Sequence, residues 1–328
     1  MSKEYVIMTD SSCDLPQELA DQLGLEVLPL EVMADGKNYR KWLDGREIGF
    51  KEFYKLAREG KELKTSAVNT AAFEEKMEKL LGEGKDVLYI GFSTGLSTTY
   101  NSGESAAREL REKYPNRKIY TVDTLAASLG QGMITYYAAK KKEAGATIEE
   151  VRDFVESEKL HMCHWFTVDD LNYLKRGGRI SAATAAIGTM LSIKPVMHMD
   201  NEGHLVAVGK ARGRKAALKA LADSMESTML PGRNETNFIR RQPRGRGVSG
   251  KSGTRAHRRA GYSYKLCRPR YRRPFRPRHH RAVLLGQRKV KHRQRTAGKC
   301  IPPFLFSVLL YFIHNDSLQT VMLYAIIC

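Results

Sequence analysis

The chain has 328 residues and a net charge of +19, from 55 Lys and Arg against 36 Asp and Glu. Residues 232–299 hold 18 Arg and 5 Lys against the single acid Glu235, a surplus of +22, so the remainder sums to −3 and a uniformly basic protein is excluded. Cys13, Cys163, Cys267, Cys300 and Cys328 are scattered with no CxxC pair, which argues against a zinc site or a disulfide framework and for a reducing, cytoplasmic setting. No secretory signal is read at the N-terminus. The apolar run at 301–313 is broken by Pro302 and Pro303 and falls short of the ~20 residues of a membrane-spanning helix.

In chain order, the apolar run 5–8 predicts a buried strand. Asp14 is expected to cap a helix with Pro16 in its first turn, ending at Gly24. Residues 25–32 predict the next strand, and 50–59 and 70–81 predict helices, the second from the spacing of Phe73, Met77 and Leu80. Thr65-Ser66 follows a loop between them. Residues 86–92 predict a buried strand, 93–99 a polar loop, and the stretch to Tyr114 a helix. A strand over 118–122 and a helix over 128–144 follow. Strands alternating with helices predict a parallel sheet, with ligands at its carboxyl edge. Thr147 opens a helix with an acidic first turn, 164–168 reads as a strand, and 169–175 as a short helix stopped by Gly177-Gly178. A hairpin is expected over 192–198 and 204–209 around Asp200–Gly203, then an amphipathic helix over 214–229. The expected architecture is α/β: an N-terminal parallel-sheet domain over 1–150 carrying the ligand loops, a smaller incomplete α+β domain over 151–231, and a low-order Arg-rich tail over 232–328.

Several motifs carry candidate chemistry. Asp10-Ser11-Ser12 lies just past the first strand, where it supports a ligand loop or caps a helix. Gly91-Phe92-Ser93-Thr94-Gly95 fits the nucleophile elbow of serine hydrolases, between a strand and a helix. No HGGG-type loop precedes it, and His161, His164, His198 and His204 lie in no distinctive context for a triad. The hydroxyl-rich continuation Ser97-Thr98-Thr99 suits anion binding better than a lone nucleophile. The Walker-type match over 245–252 has neither the strand nor the helix its mechanism requires. His161-Met162-Cys163-His164 has metal-capable types at a spacing that does not place three ligands on one ion. Arg179 in the Gly-Gly-Arg turn, with Arg212 and Arg214, forms two basic points able to grip a phosphate or to cap helices.

Together the segments Asp10–Pro16, Lys64-Thr65-Ser66, Ser93–Ser102, Val122-Asp123-Thr124 and Tyr173–Ile180 resemble the DegV family, in family order and over residues 5–230. The resemblance implies a two-domain protein that holds a long-chain fatty acid in an interdomain cleft, with no cofactor and no catalysis of its own. It implies that Thr65, Ser66, Ser93 and Thr94 surround the carboxylate, with Asp10, Ser11 and Ser12 as loop support. It further implies presentation of the acyl group to a separate fatty acid kinase subunit, engaged through Arg179 and through Arg212 or Arg214. Thr98 departs from the pattern, standing where the family carries glycine.

The tail departs more. The family ending, Gly-Ala-His-Ser-Gly-Pro-Gly, whose His is expected at the carboxylate, is absent here. Residues 268–286 are compatible with codons whose neighbouring frame reads as that ending in register, since a C-ending codon followed by a glycine codon gives Arg when shifted. A frame shift between about residues 230 and 239 is therefore expected, and with it loss of one wall of the cleft, poor solubility and weak ligand binding. The alternative, a nucleic-acid-binding tail, follows from composition alone.

Overall fold

The computed structural model describes residues 4–168, 170–182, 184, 192–228, 309–310 and 322–327. β1 (Tyr5–Asp10) is buried at every position, so side chains of both parities need cover. After a 3₁₀ turn come α1 (Gln17–Gln22) and β2 (Glu26–Leu28). The expected single strand over 25–32 divides at Pro29, which lacks the N–H a central ladder requires, and the chain passes into β3 (Leu30–Ala34) of another sheet. Asp35-Gly36, both at positive φ, turns β3 into β4 (Lys37–Lys41), a hairpin that apolar periodicity did not mark. α2 (Phe50–Arg58) leads to β5 (Leu63–Ser66), which pairs with β3; Thr65 and Ser66 thus stand on a strand.

α3 (Thr70–Gly82), capped by Asn69, precedes the fully buried β6 (Asp86–Gly91). α4 (Thr99–Lys113), β7 (Ile119–Asp123) and α5 (Leu129–Glu143) follow. α6 (Ile148–Glu158) begins with a capping box between Thr147 and Glu150. The parallel sheet has the order β2-β1-β6-β7. Tyr5, Ile7, Leu88 and Ile90 pack on one face with Leu129, Met133, Ile134, Val151 and Val155 of α5 and α6. Val6, Met8, Val87 and Tyr89 pack on the other with Phe73, Met77, Ala106 and Leu110 of α3 and α4. The parallel sheet expected from the alternation is therefore present, with helices on both of its faces. Asp14 does not cap α1: it sits in the left-handed region, φ 52°, and Pro16 holds the cap position.

β8 (Met162–Thr167), α7 (Asn172–Arg176), β9 (Ile193–Met199), β10 (Leu205–Arg212) and α8 (Arg214–Thr228) build the second, antiparallel unit. The β9–β10 hairpin runs to Arg212, three residues beyond expectation, through a bulge between Ala207 and Gly209. Beyond the Arg-rich stretch, β11 (Leu309–Leu310) and β12 (Met322–Ile327) extend this sheet, and β12 pairs antiparallel with β8. The rest of 232–328, including the Walker-type match and the run over 268–286, lies outside the described residues. Cys13 is a free buried thiol, whereas Cys163 is disulfide-bonded, which departs from the reading of unbridged cysteines.

Candidate functional site

In the order β2-β1-β6-β7 the direction of chain addition reverses between β1 and β6, the switch point outside whose carboxyl ends such sheets bind ligands. Asp10 closes β1 at that point, and Phe92–Thr94 leaves β6 beside it. The Asp10 carboxylate is fully buried and accepts from Ser12 N (3.0 Å), Tyr89 Oη (3.0 Å), Gln131 Nε2 (3.1 Å) and Phe92 N (3.4 Å), with the Ser12 hydroxyl also in contact. Burial pushes its carboxyl above the ordinary aspartate range, against the pull of the Ser12, Tyr89 and Gln131 hydrogen bonds. Gln131 Nε2 also donates to Thr9 Oγ1 (3.0 Å), and Ser12 Oγ lies 2.9 Å from Gln131 Oε1. Ser11 Oγ accepts from Leu30 N (3.0 Å), tying the start of β3 to this edge. Asp10, Ser11 and Ser12 are therefore all buried and hydrogen-bonded within the fold.

Ser93 is buried, whereas Thr94 is exposed. Ser93 Oγ donates to the Gly203 carbonyl (2.8 Å) and accepts from Gly95 N (3.1 Å). Thr94 Oγ1 and N donate to Asp123 Oδ2 (2.6 and 3.3 Å), whose other oxygen accepts from Leu125 N (2.9 Å). Among the described residues no imidazole hydrogen-bonds Ser93, the contact by which an adjacent base activates a serine nucleophile. Thr65 and Ser66 are exposed on β5, in the ladder opposite Val32 and Glu31. No side-chain hydrogen bond joins them to Ser93 or Thr94 among the described residues. The structure thus brings Ser93 and Thr94 to the switch point with Asp10, and leaves Thr65 and Ser66 on the rim of a separate small sheet.

Arg179 reaches the same loop: its Nε donates to Leu96 O (3.1 Å), and its Nη1 contacts Gly177 O. Arg212 is exposed at the end of β10, and Arg214 begins α8. The antiparallel sheet meets the parallel one here, where Leu96 and Ala127 pack with Met199 beside Phe92 and Leu205. A cavity of about 90 Å³ lies nearby, lined by residues including Leu125, Met162, His164, His198, Met199 and Asp200. Its His164 is buried, with no hydrogen bond to Nε2 among the described residues; burial, then His198, lowers its pKa to about 4. His161 is exposed, 3.4 Å from Glu158, and the described residues hold no cluster of three or more metal-capable groups.

Reading the sequence alone did not single out Tyr89, Gln131 or Gly203, and noted Asp123 only within a family segment. Their roles arise from convergence across as many as 122 residues, which local pattern does not encode. The Asp-Asn-Glu-Gly turn around Gly203 is legible, but what it touches is not.

Comparison with known proteins accords with this geometry. A family model described as "Uncharacterised protein, DegV family" matches residues 4–242. A DegV domain-containing protein of Clostridium perfringens is 45% identical over 237 residues, 72% of this chain and 81% of that one. A structure titled as fatty acid binding of a DegV family protein from Thermus thermophilus shares 36% identity and a TM-score of 0.65, over 72% of this chain and 82% of that one. A structure titled as DegV, a fatty acid binding protein from Bacillus subtilis, shares 29% identity and a TM-score of 0.62, over 73% and 83%. This chain belongs to the DegV family.

Proposed function

We propose that this chain binds a long-chain fatty acid, with its carboxylate at the Ser/Thr loops and its acyl chain between the parallel and antiparallel units, taken as two domains over 1–150 and 151–231. The observation that carries the reading is the hydroxyl-bearing Ser93–Thr94 loop at the sheet's switch point, in a chain that shares its fold with the Thermus thermophilus fatty-acid-binding relative. Ser93 supplies a hydroxyl to the carboxylate, Thr94 is held in place by Asp123, and Thr65 and Ser66 close over the head group from the small sheet. Burying about 14 methylenes at ~0.8 kcal/mol each yields on the order of 10 kcal/mol, much of it offset by the cost of association and ordering. The apolar chain therefore sets affinity and the hydroxyls set orientation. The protein acts as a non-catalytic carrier in the cytoplasm and needs no cofactor. The Arg179 turn and Arg212 or Arg214 offer a basic face to a fatty acid kinase subunit.

Titration with the fluorescent fatty acid cis-parinaric acid tests the reading. The chain is expected to bind saturably, and Ser93→Ala to weaken binding about tenfold or more, the effect of removing one hydrogen bond to a charged group. Absence of saturable binding overturns it. A serine hydrolase would instead be labelled at Ser93 by a fluorophosphonate probe.

A further inference from the structure

We infer that the Asp200–Gly203 turn is an autoinhibitory latch on the Ser93 loop, which a ligand carboxylate must displace. The inference deepens the fatty-acid reading and rests on it for the identity of the ligand. A serine hydroxyl has one hydrogen, and Ser93 gives it to the Gly203 carbonyl at 2.8 Å. The Thr94 hydroxyl hydrogen is likewise given to Asp123. The backbone donors of the loop are also engaged: Gly95 N on Ser93 Oγ, and Leu96 N and Ser97 N on Ser93 O. A carboxylate offers only acceptors, as the Gly203 carbonyl does, so the two compete for one donor.

The fit between turn and loop is close. A Cβ on Gly95 would stand 2.7 Å from Gly203 O, and one on Gly203 would stand 2.1 Å from Ser93 Oγ and 3.2 Å from Leu125 Cα. Glycine at both positions is what allows the carbonyl to reach the serine. The turn is also self-contained. Asp200 Oδ1 accepts from Glu202 N (3.1 Å) and His204 N (2.8 Å), Gly203 N donates to Asp200 O (3.1 Å), and Gly203 has φ +80°. It therefore moves as a unit on the β9–β10 hairpin. The 90 Å³ cavity beside it, lined in part by Leu125, Met199, Asp200 and Asn201, is well below the about 300–1,000 Å³ of ligand pockets. Lifting the turn frees Ser93 and widens this space together.

Hydrogen exchange and stopped-flow binding of cis-parinaric acid to the full chain test the latch. Saturating probe is expected to speed exchange over 200–204 and slow it over 93–97. Gly203→Ala, which expels the turn, is expected to speed exchange over 93–97 without ligand and to raise the association rate about fivefold, as for the loss of one ordinary hydrogen bond. Asp200→Ala removes the two bonds that stiffen the turn without adding a clash, and is expected to act in the same direction if Gly203→Ala does not fold. Exchange over 200–204 that slows or stays unchanged in saturating probe overturns the latch while leaving the binding reading intact. If no variant binds the probe, the binding reading fails. The latch then stands on faster unliganded exchange over 93–97 in the variants and falls if that exchange equals wild type.

Discussion

Asp10 poses a question of hydrogen counting. Its two oxygens meet donors from Ser12 N, Tyr89, Gln131 and Phe92, yet the one hydrogen of Ser12 Oγ faces both Asp10 and Gln131 Oε1. A protonated Asp10 resolves the shortage: it donates to Ser12 Oγ, which passes its own hydrogen to Gln131. The upward displacement of its pKa by burial has the same direction. In the unfolded chain Asp titrates near 3.9, so this group's stabilising contribution is full below about that pH and is lost as pH rises through the folded value. Asp10→Asn removes the titration. Thermal melts from about pH 4 to about pH 9 are expected to show wild type losing ground to the variant as pH rises; parallel curves contradict the assignment. For Lys41, beside Asp14, the displacement has the same direction. Lys41 sits against Asp14 and Ser11 O (2.6 and 2.8 Å), and although burial opposes its charge, the Asp14 carboxylate holds its ammonium above the usual lysine value.

Among the elements, α5 and β8 meet where an imidazole replaces a side chain. A Cβ on Gly130, in the first turn of α5, would fall 1.6 Å from His164 Nε2 of β8. Gly130→Ala must therefore displace either the helix or the histidine. A loss of about 1–3 kcal/mol or more is expected in urea denaturation, despite alanine's better helix propensity. A gain in stability contradicts this packing. Elements of this buried kind were legible: β1 and β6 as short apolar runs, and α3 from Phe73, Met77 and Leu80 on one stripe. β4 and β5 were not, because Lys37–Lys41 and Leu63–Ser66 are polar and largely exposed, and their pairing with β3 is decided across the sheet. Asp35-Gly36 was the one local mark of that hairpin. The Ser93 loop was readable from its place between strand and helix, whereas the contacts that its hydroxyls make with the acceptors Asp123 Oδ2 and Gly203 O were not.

At the scale of the molecule, similarity to the family ends at residue 242, close to where the acids disappear. We propose that a frame shift near residues 230–239 accounts for both; sequencing the gene across codons 225–245 decides it, and a gene whose neighbouring frame lacks the family ending rejects it. The polypeptide as it stands carries +22 over residues 232–299. Counterion release then predicts polyanion binding that weakens steeply with salt, and loss of that binding on truncation after Pro231. Filter binding across a salt series checks this; equal retention by the truncated chain contradicts it.

Pro29 has a reach beyond the strand it interrupts. By turning the chain out of the central layer it founds a second, thin hydrophobic nucleus of Val32, Ala34 and Ile48, edged by Tyr39, Phe53, Leu56 and Leu63. Thr65 and Ser66 ride on that modest raft, while Ser93 follows directly on the fully buried β6. On the proposed fatty-acid reading, the side carried by the thin nucleus is the more yielding of the two, and acyl chains of unequal girth would be accommodated there.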